Sequence, residues 1–203
     1  MAVQSGTYRG VSAQERTTER RGRLLAATLE VWAASGQRVT MTRICAEAGL
    51  TERYFYESFR NLEDAQTAVL EAIATEIEAV TQAAADDAGA DPAARIRASV
   101  HAFVELVAAD PRKGRVAIVE AGALPALRPR RTALLRHFAQ RAAEEALELY
   151  GADGWGIRNG QVAGLLFVGG VAELLTAWLE GVLDATTDEL VDAATAMFVG
   201  MHR

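Results

Sequence analysis

The sequence predicts an all-α fold, and three observations carry that prediction. Apolar residues recur at helical spacing through almost every segment. No stretch of useful length alternates apolar and polar residues as a half-buried strand does. Gly, Pro and capping residues fall where helices would start and stop. About nine helices are expected, arranged as a small N-terminal part and a larger C-terminal one.

From the N-terminus, "RLLAATLEVWAASG" sets Leu25, Leu29 and Trp32 at i, i+4, i+7 and stops at Gly36. In "TMTRICAEAG", Thr40 is the N-cap, Met41, Ile44 and Ala48 face inward, and Gly49 ends a short second helix. Thr51 caps a third, running to Phe59 or Arg60. A helix this short needs an anchor, and Phe55 and Phe59 share one face that can pack on Ile44, Leu29 and Trp32. A longer helix runs from Asn61 to about Ala85, and "DDAGAD" breaks it. Asp91 is an N-cap with Pro92 at the first helical position, ahead of a stripe of Ile96, Val100, Phe103 and Val107. "RKGRVAIVEAG" is a shorter helix, and Pro125 and Pro129 bracket a turn. "RTALLRHFAQRAAEEALELYG" is a long amphipathic helix ending at Gly151, with "GADGW" as a loop. The apolar run Val162 to Leu183 is long enough to raise a membrane question. Glu173 and Glu180, seven residues apart on one face, favour a buried or interface helix, with no membrane partner. Thr186 to Glu189 fits a capping box before the last helix.

The totals exclude several classes. The 203 residues carry a net charge of −6, but the charge is uneven. Residues 1–64 hold nine Arg against eight acidic residues, whereas the remainder is strongly acidic. Arg suits phosphate and base-edge contacts better than Lys. One cysteine, Cys45, precludes an internal disulfide framework, and the first residues are polar, so a cytoplasmic setting is expected. His101, His137 and His202 lie far apart without neighbours at metal spacing, so neither metal nor cofactor is expected. No phosphate loop, dinucleotide fingerprint or nucleophile elbow occurs, and an enzyme is not expected. "RPRR" (Arg128 to Arg131) and the paired Glu144 and Glu145 are expected at the solvated surface.

The second and third helices, joined by a Gly-containing turn, form a helix-turn-helix. Its second helix enters the DNA major groove. With the Phe pair turned inward, Thr51, Arg53, Tyr54, Tyr56 and Ser58 remain as outward groups. Rings and hydroxyls thus divide their work: the Phe pair holds the helix and the Tyr pair meets DNA.

Over about residues 20–75 the sequence resembles the TetR family of transcriptional regulators. The resemblance rests on Gly36, Thr40, Ile44, Ala48, Gly49, Thr51, Phe55, Tyr56 and Phe59 within "RLLAATLEVWAASG" and "TMTRICAEAGLTERYFYESFRNLEDA". The loop after Gly36 is one residue shorter than usual in the family. Leu62 stands where Lys is frequent, and Ser58 where His is frequent. Arg60 and Asn61 are the natural substitutes as phosphate contacts.

The resemblance implies a flexible arm (1–17), a DNA-binding domain (18–78) and a ligand-binding and dimerisation domain (79–203). It implies a homodimer on a near-palindromic double-stranded operator, most simply a repressor released by a small-molecule effector. The DNA-contacting set comprises Thr40, Thr42, Arg43, Thr51, Arg53, Tyr54, Tyr56, Ser58, Arg60 and Asn61. Arg53 and Tyr54 are expected at base edges and Tyr56 at a phosphate. Bulk and position on the second-domain helices suggest Phe103, Val104, Phe138 and Phe167 as pocket residues, with His101 off its helix's main stripe. The family's dimer interface uses the last two long helices, here about Ile157 to Leu183 and Glu189 to Met201. Leu165, Val168, Leu175, Leu179 and Phe198 are the candidates there. Gly160, Gly164, Gly169 and Gly170 permit close helix approach, across a dimer or within one subunit. Two rival readings are a regulator of this fold without an effector and a small all-α enzyme or carrier. A cavity of about 300 Å³ or more separates the first from a ligand-responsive protein; convergent titratable groups in that cavity would favour the second.

Overall fold

A computed structural model describes residues 13–34, 38–151 and 157–201 of the chain. Gly36, His202 and most of the loop before Ile157 lie outside the described residues, as do residues 1–12 of the expected arm. Residues 13–17, also expected in the arm, are helical: α1 spans Ala13–Ala33. Next come α2 (Met41–Ala48), α3 (Glu52–Ser58), α4 (Leu62–Asp87) and α5 (Pro92–Ala109). The sixth helix, α6, is compound. It starts as α-helix over Pro111–Gly114, continues as π-helix over Arg115–Glu120 and closes with one α turn, Ala121–Ala123. Three long helices complete the chain: α7 (Arg128–Tyr150), α8 (Ile157–Leu179) and α9 (Thr187–Met201). Among the described residues there are nine helices, counting α6 once, and no strand. The chain divides into two compact units, Met1–Val69 and Leu70–Arg203, within α4 and ahead of the boundary expected after residue 78.

In the N-terminal unit, local signals set the helix ends. Thr40 accepts a hydrogen bond from the Arg43 amide at 3.3 Å, and Gly49 closes α2 in the left-handed region at φ 60°. That conformation is nearly free for Gly and costly for other residues. Thr51 occupies the N-cap position of α3, but its side chain makes no capping hydrogen bond. Asn61 caps α4 by accepting from the Asp64 amide at 2.8 Å. Leu24, Ala27, Val31, Ile44, Cys45, Ala48, Phe55, Phe59 and Ala65 form one buried cluster. The expected anchor on Leu29 and Trp32 is therefore corrected. The Phe pair shares its cluster with Leu24, Ala27 and Val31, with Leu25 packed against it; Trp32 is buried outside that cluster and Leu29 is half-buried.

In the C-terminal unit, Asp91 accepts from the Ala94 amide at 2.8 Å, with Pro92 in the first turn of α5. Thr186 and Glu189 make the reciprocal capping box: Thr186 N–H donates to Glu189 at 2.8 Å, and Glu189 N–H donates to the Thr186 hydroxyl at 3.3 Å. The core joins Ile96, Val100, Val104 and Val107 of α5 to Val171 and Leu175 of α8 and Leu190, Val191, Ala194 and Phe198 of α9. Helices α7 and α8 pack closely, and glycine is the reason. A Cβ at Gly164 would overlap the Ala139 carbonyl oxygen and stand 3.0 Å from its carbonyl carbon. Gly164 thus serves packing within one subunit. Gly169 has nothing within 4 Å of such an atom.

Candidate nucleic-acid interface and ligand cavity

Helix α3 is held from beneath and from both ends. Phe55 and Phe59 are buried, with ring centroids 5.6 Å apart. Three arginines of α1, which sequence reasoning did not single out, complete the support. Arg21 donates to the Ser58 carbonyl at 2.6 Å and stacks over Phe59 at 4.3 Å. Arg23 donates to the Ala48 carbonyl at 2.5 Å. Arg20 lies over the Tyr54 ring at 4.6 Å. The first two contacts place a cation where helical carbonyls run out of partners, satisfying them and opposing the helix dipole. The missed signal was the Arg20-Arg21-Gly22-Arg23 run ahead of the first apolar turn, which reads as a solvated face without its partners.

The outward face of α3 presents Thr51, Arg53 and Tyr56, all exposed. Tyr56 is 59% exposed, with its hydroxyl on the outward side of a helix held firmly from beneath. Arg53 pairs with Glu57 at 3.0 Å across one turn, and at 84% side-chain exposure that pair is weak and can be exchanged for another acceptor. Tyr54 and Ser58 are half-buried. Thr42 donates to Glu52 at 3.4 Å and Arg43 to the Arg38 carbonyl at 3.0 Å. Thr40, Arg60 and Asn61 are engaged in holding helix ends. Thr40 caps α2 and Asn61 caps α4. Arg60 is tied to Asp64, guanidinium to carboxylate at 2.8 Å and amide to carboxylate at 3.0 Å. The Arg60 bonds hold the Asp64 carboxyl below its usual range. Burial, aided by Glu52, pushes the Cys45 thiol up, so it is the less reactive for that.

The C-terminal unit contains a cavity of about 230 Å³. Phe103, Phe138, Phe167 and Phe198 line it, together with aliphatic residues of α4, α6, α7 and α8. Phe103, Phe138 and Phe167 were expected there. His101 and Val104 are corrected: His101 is exposed and Val104 is packed in the core, and neither lines the cavity. Two surface expectations are also corrected. Glu145 lines the cavity and pairs with Arg95 at 2.9 Å. Arg131 lines it too, donating from Nη2 to the Ile118 carbonyl at 3.2 Å, while its Nε is buried with no hydrogen-bond partner. A buried donor left unsatisfied costs about 1–3 kcal/mol. Among the described residues no group of His, Cys, Asp and Glu could hold a metal ion; His137 pairs with Glu78 at 3.2 Å.

The expected dimer residues separate sharply. Val168 lines the cavity, Leu175 and Phe198 are fully buried in the core, and Leu179 packs against it. Leu175 and Phe198 therefore cannot supply a subunit surface, whereas Val168 and Leu179 are half-buried. Leu165 is exposed, beside Val162 and Leu166 on α8, and Leu147 is exposed on α7.

Whole-chain comparison is decisive for the fold. The structure is similar to the fatty acid degradation regulator FadR from Bacillus halodurans, with a TM-score of 0.78 at 18% identity over 91% of this chain and 97% of that one. The chain has the TetR-type fold. The FadR regulator from Bacillus subtilis, in complex with stearoyl-CoA, matches at TM-score 0.73 and 18% identity, covering 90% of this chain and 99% of that one. The regulatory protein TetR from Rhodobacter sphaeroides matches at 0.70 and 24% identity, covering 91% and 99%. No protein-family model matches the sequence, and no curated protein matches it. The TetR-type likeness read from residues 20–75 thus extends, as fold, over nine-tenths of the chain.

Proposed function

We propose that the chain is a homodimeric, cytoplasmic transcriptional regulator that binds a near-palindromic operator and, as a repressor, is released by a small molecule. The observation that carries the DNA-binding part is the outward face of α3, where Arg53 and Tyr56 stand exposed on a helix anchored by Phe55, Phe59 and Arg21. Rigid presentation of donors on such a helix is what base and phosphate contacts require. Arg53 with Tyr54 reads base edges, with Thr42 and Arg43 beside them. Tyr56 and Thr51 meet phosphates, and Thr40, Ser58, Arg60 and Asn61 hold the helix ends against the backbone.

The ligand part is supported by the phenylalanine-lined cavity and by the stearoyl-CoA complex of the similar Bacillus subtilis protein. At about 230 Å³ the cavity is smaller than the roughly 300 Å³ at which small-molecule pockets begin. By that measure its size favours the effector-free rival, and the phenylalanine lining with the stearoyl-CoA complex of the similar protein is what favours a small ligand. For assembly, Leu147, Val162, Leu165 and Leu166 form an apolar face on α7 and α8 that a second copy would cover.

Selection of bound fragments from random genomic DNA tests the reading. One half-site motif repeated with two-fold symmetry is expected. Tyr56→Phe lowers affinity for operator and scrambled DNA by a similar factor. Arg53→Ala costs about 1–3 kcal/mol on operator and relaxes choice at one base pair per half-site. Recovery of fragments without a shared motif refutes it.

A further inference from the structure

The charges around the cavity are matched with one exception. Glu78 meets His137 at 3.2 Å and Arg141 at 3.9 Å; Glu145 meets Arg95 at 2.9 Å; Arg141 also meets Glu144 at 3.2 Å. Among the described residues, Arg131 is the one charged residue lining the cavity with no ion pair. Its guanidinium holds a single carbonyl, that of Ile118, and Nε is buried and unpaired. Burying a cationic donor in an apolar wall is unfavourable unless something completes its hydrogen bonds.

We propose that this cavity binds a small organic monoanion, its apolar body among Phe103, Phe138 and Phe167 and its carboxylate on the Arg131 guanidinium. This rests on the ligand-binding part of the proposed function and names the ligand's chemical class. The geometry is specific. Nε and Nη2 share one edge of the guanidinium, and that edge accepts a carboxylate through two parallel hydrogen bonds. A carboxylate on Nε would therefore compete with the Ile118 carbonyl for Nη2. Ile118 belongs to the π-helical stretch of α6, and Ala117 and Ile118 both line the cavity. Gly122, one turn on, stands against the same guanidinium: a Cβ there would lie 3.4 Å from Nε. The head of the ligand is thus read by a charge and the tail by shape, so an uncharged analogue of equal length should lose the head and keep the tail.

The test uses the full-length protein and isothermal titration calorimetry with octanoate, decanoate and 1-octanol. Octanoate or decanoate is expected to bind at least tenfold more tightly than 1-octanol. Arg131→Gln should abolish that preference while leaving 1-octanol binding unchanged. Arg131→Lys, which keeps the charge but not the two-donor edge, should fall between. Circular dichroism melts of both variants establish that they fold, and Arg131→Lys keeps the test open should Arg131→Gln not. Equal affinity for octanoate and 1-octanol, a preference that survives Arg131→Gln, or no carboxylate binding overturns the proposal. A parallel titration with operator DNA separates it from the regulator reading. Arg131-dependent octanoate binding that leaves DNA affinity unchanged upholds the ligand class and refutes effector release. Intact operator binding without carboxylate binding refutes the ligand class and upholds the DNA-binding reading.

Discussion

Gly164→Ala should destabilise the C-terminal unit, although alanine is the better helix former. The perturbation is one methyl group at the closest approach of α7 and α8. That carbon would overlap the Ala139 carbonyl oxygen and stand 3.0 Å and 3.4 Å from Ala139 C and Cα. Non-bonded heavy atoms rest at about 3.5–4.0 Å. The obstacle is backbone, so no side-chain rotation relieves it, and the two helices must separate. Overpacking of this kind costs about 1–3 kcal/mol, against a gain of about 0.5–1 kcal/mol for replacing Gly inside a helix. Gly160→Ala is the internal control. It lies one turn earlier on the same helix, and its Cβ would meet Ala143 Cβ at a comfortable 3.8 Å. It should be neutral or stabilising by about 0.5–1 kcal/mol. Urea titration at fixed protein concentration, followed by circular dichroism, reads both midpoints, the fixed concentration removing mass-action effects of assembly. Gly164→Ala unfolding at the same or higher urea than wild type would refute the backbone-contact reasoning.

Three further outcomes are expected. Arg21→Ala removes a charged hydrogen bond to Ser58 and a cation–π contact on Phe59; it should cost about 1–2 kcal/mol, and hydrogen exchange should show α3 amides losing protection first. Leu166→Asp, at a side chain 60% exposed, should leave the circular dichroism spectrum intact and give a monomer mass in light scattering; an unchanged dimer mass would move the interface elsewhere. Hydrogen bonds hold Asp64, through Arg60, and Glu189, through Thr186, below the ordinary carboxylate range. The unfolded chain then binds these protons more readily, so their contribution is complete above about pH 5 and declines as pH falls through the folded values. Acid titration of Asp64→Asn and Thr186→Ala, monitored by thermal melting, should show a shallower loss than wild type.

Signals carried by residues close in sequence were legible. Thr40, Gly49, Asp91 with Pro92, and Thr186 with Glu189 act as helix ends because a cap needs only its own turn. The Phe55–Phe59 pair was legible because a seven-residue helix must be anchored. What escaped depends on partners far along the chain. On α1 the buried face includes Leu24 and Val31 rather than Leu29, which no wheel can decide when apolar residues surround the helix. Helix α8 is apolar nearly all round, so composition could not tell the core-facing Leu175 from the outward Leu166. Arg131 looked like part of a solvated basic run until the cavity placed Ile118 against it.

The π-helical stretch of α6 can also be read as a matter of chain length. There the Ala121 amide reaches back five residues, to the Val116 carbonyl, instead of four. Such a stretch is what an α-helix becomes when it accommodates one surplus residue without breaking. Deleting one position between 115 and 120 should let α6 run as plain α-helix, rotating the part before the cut by about 100° relative to the part after it. Ile118 could then no longer keep both its place on the cavity wall and its carbonyl on Arg131. A single codon is thus enough to reshape the wall of this cavity.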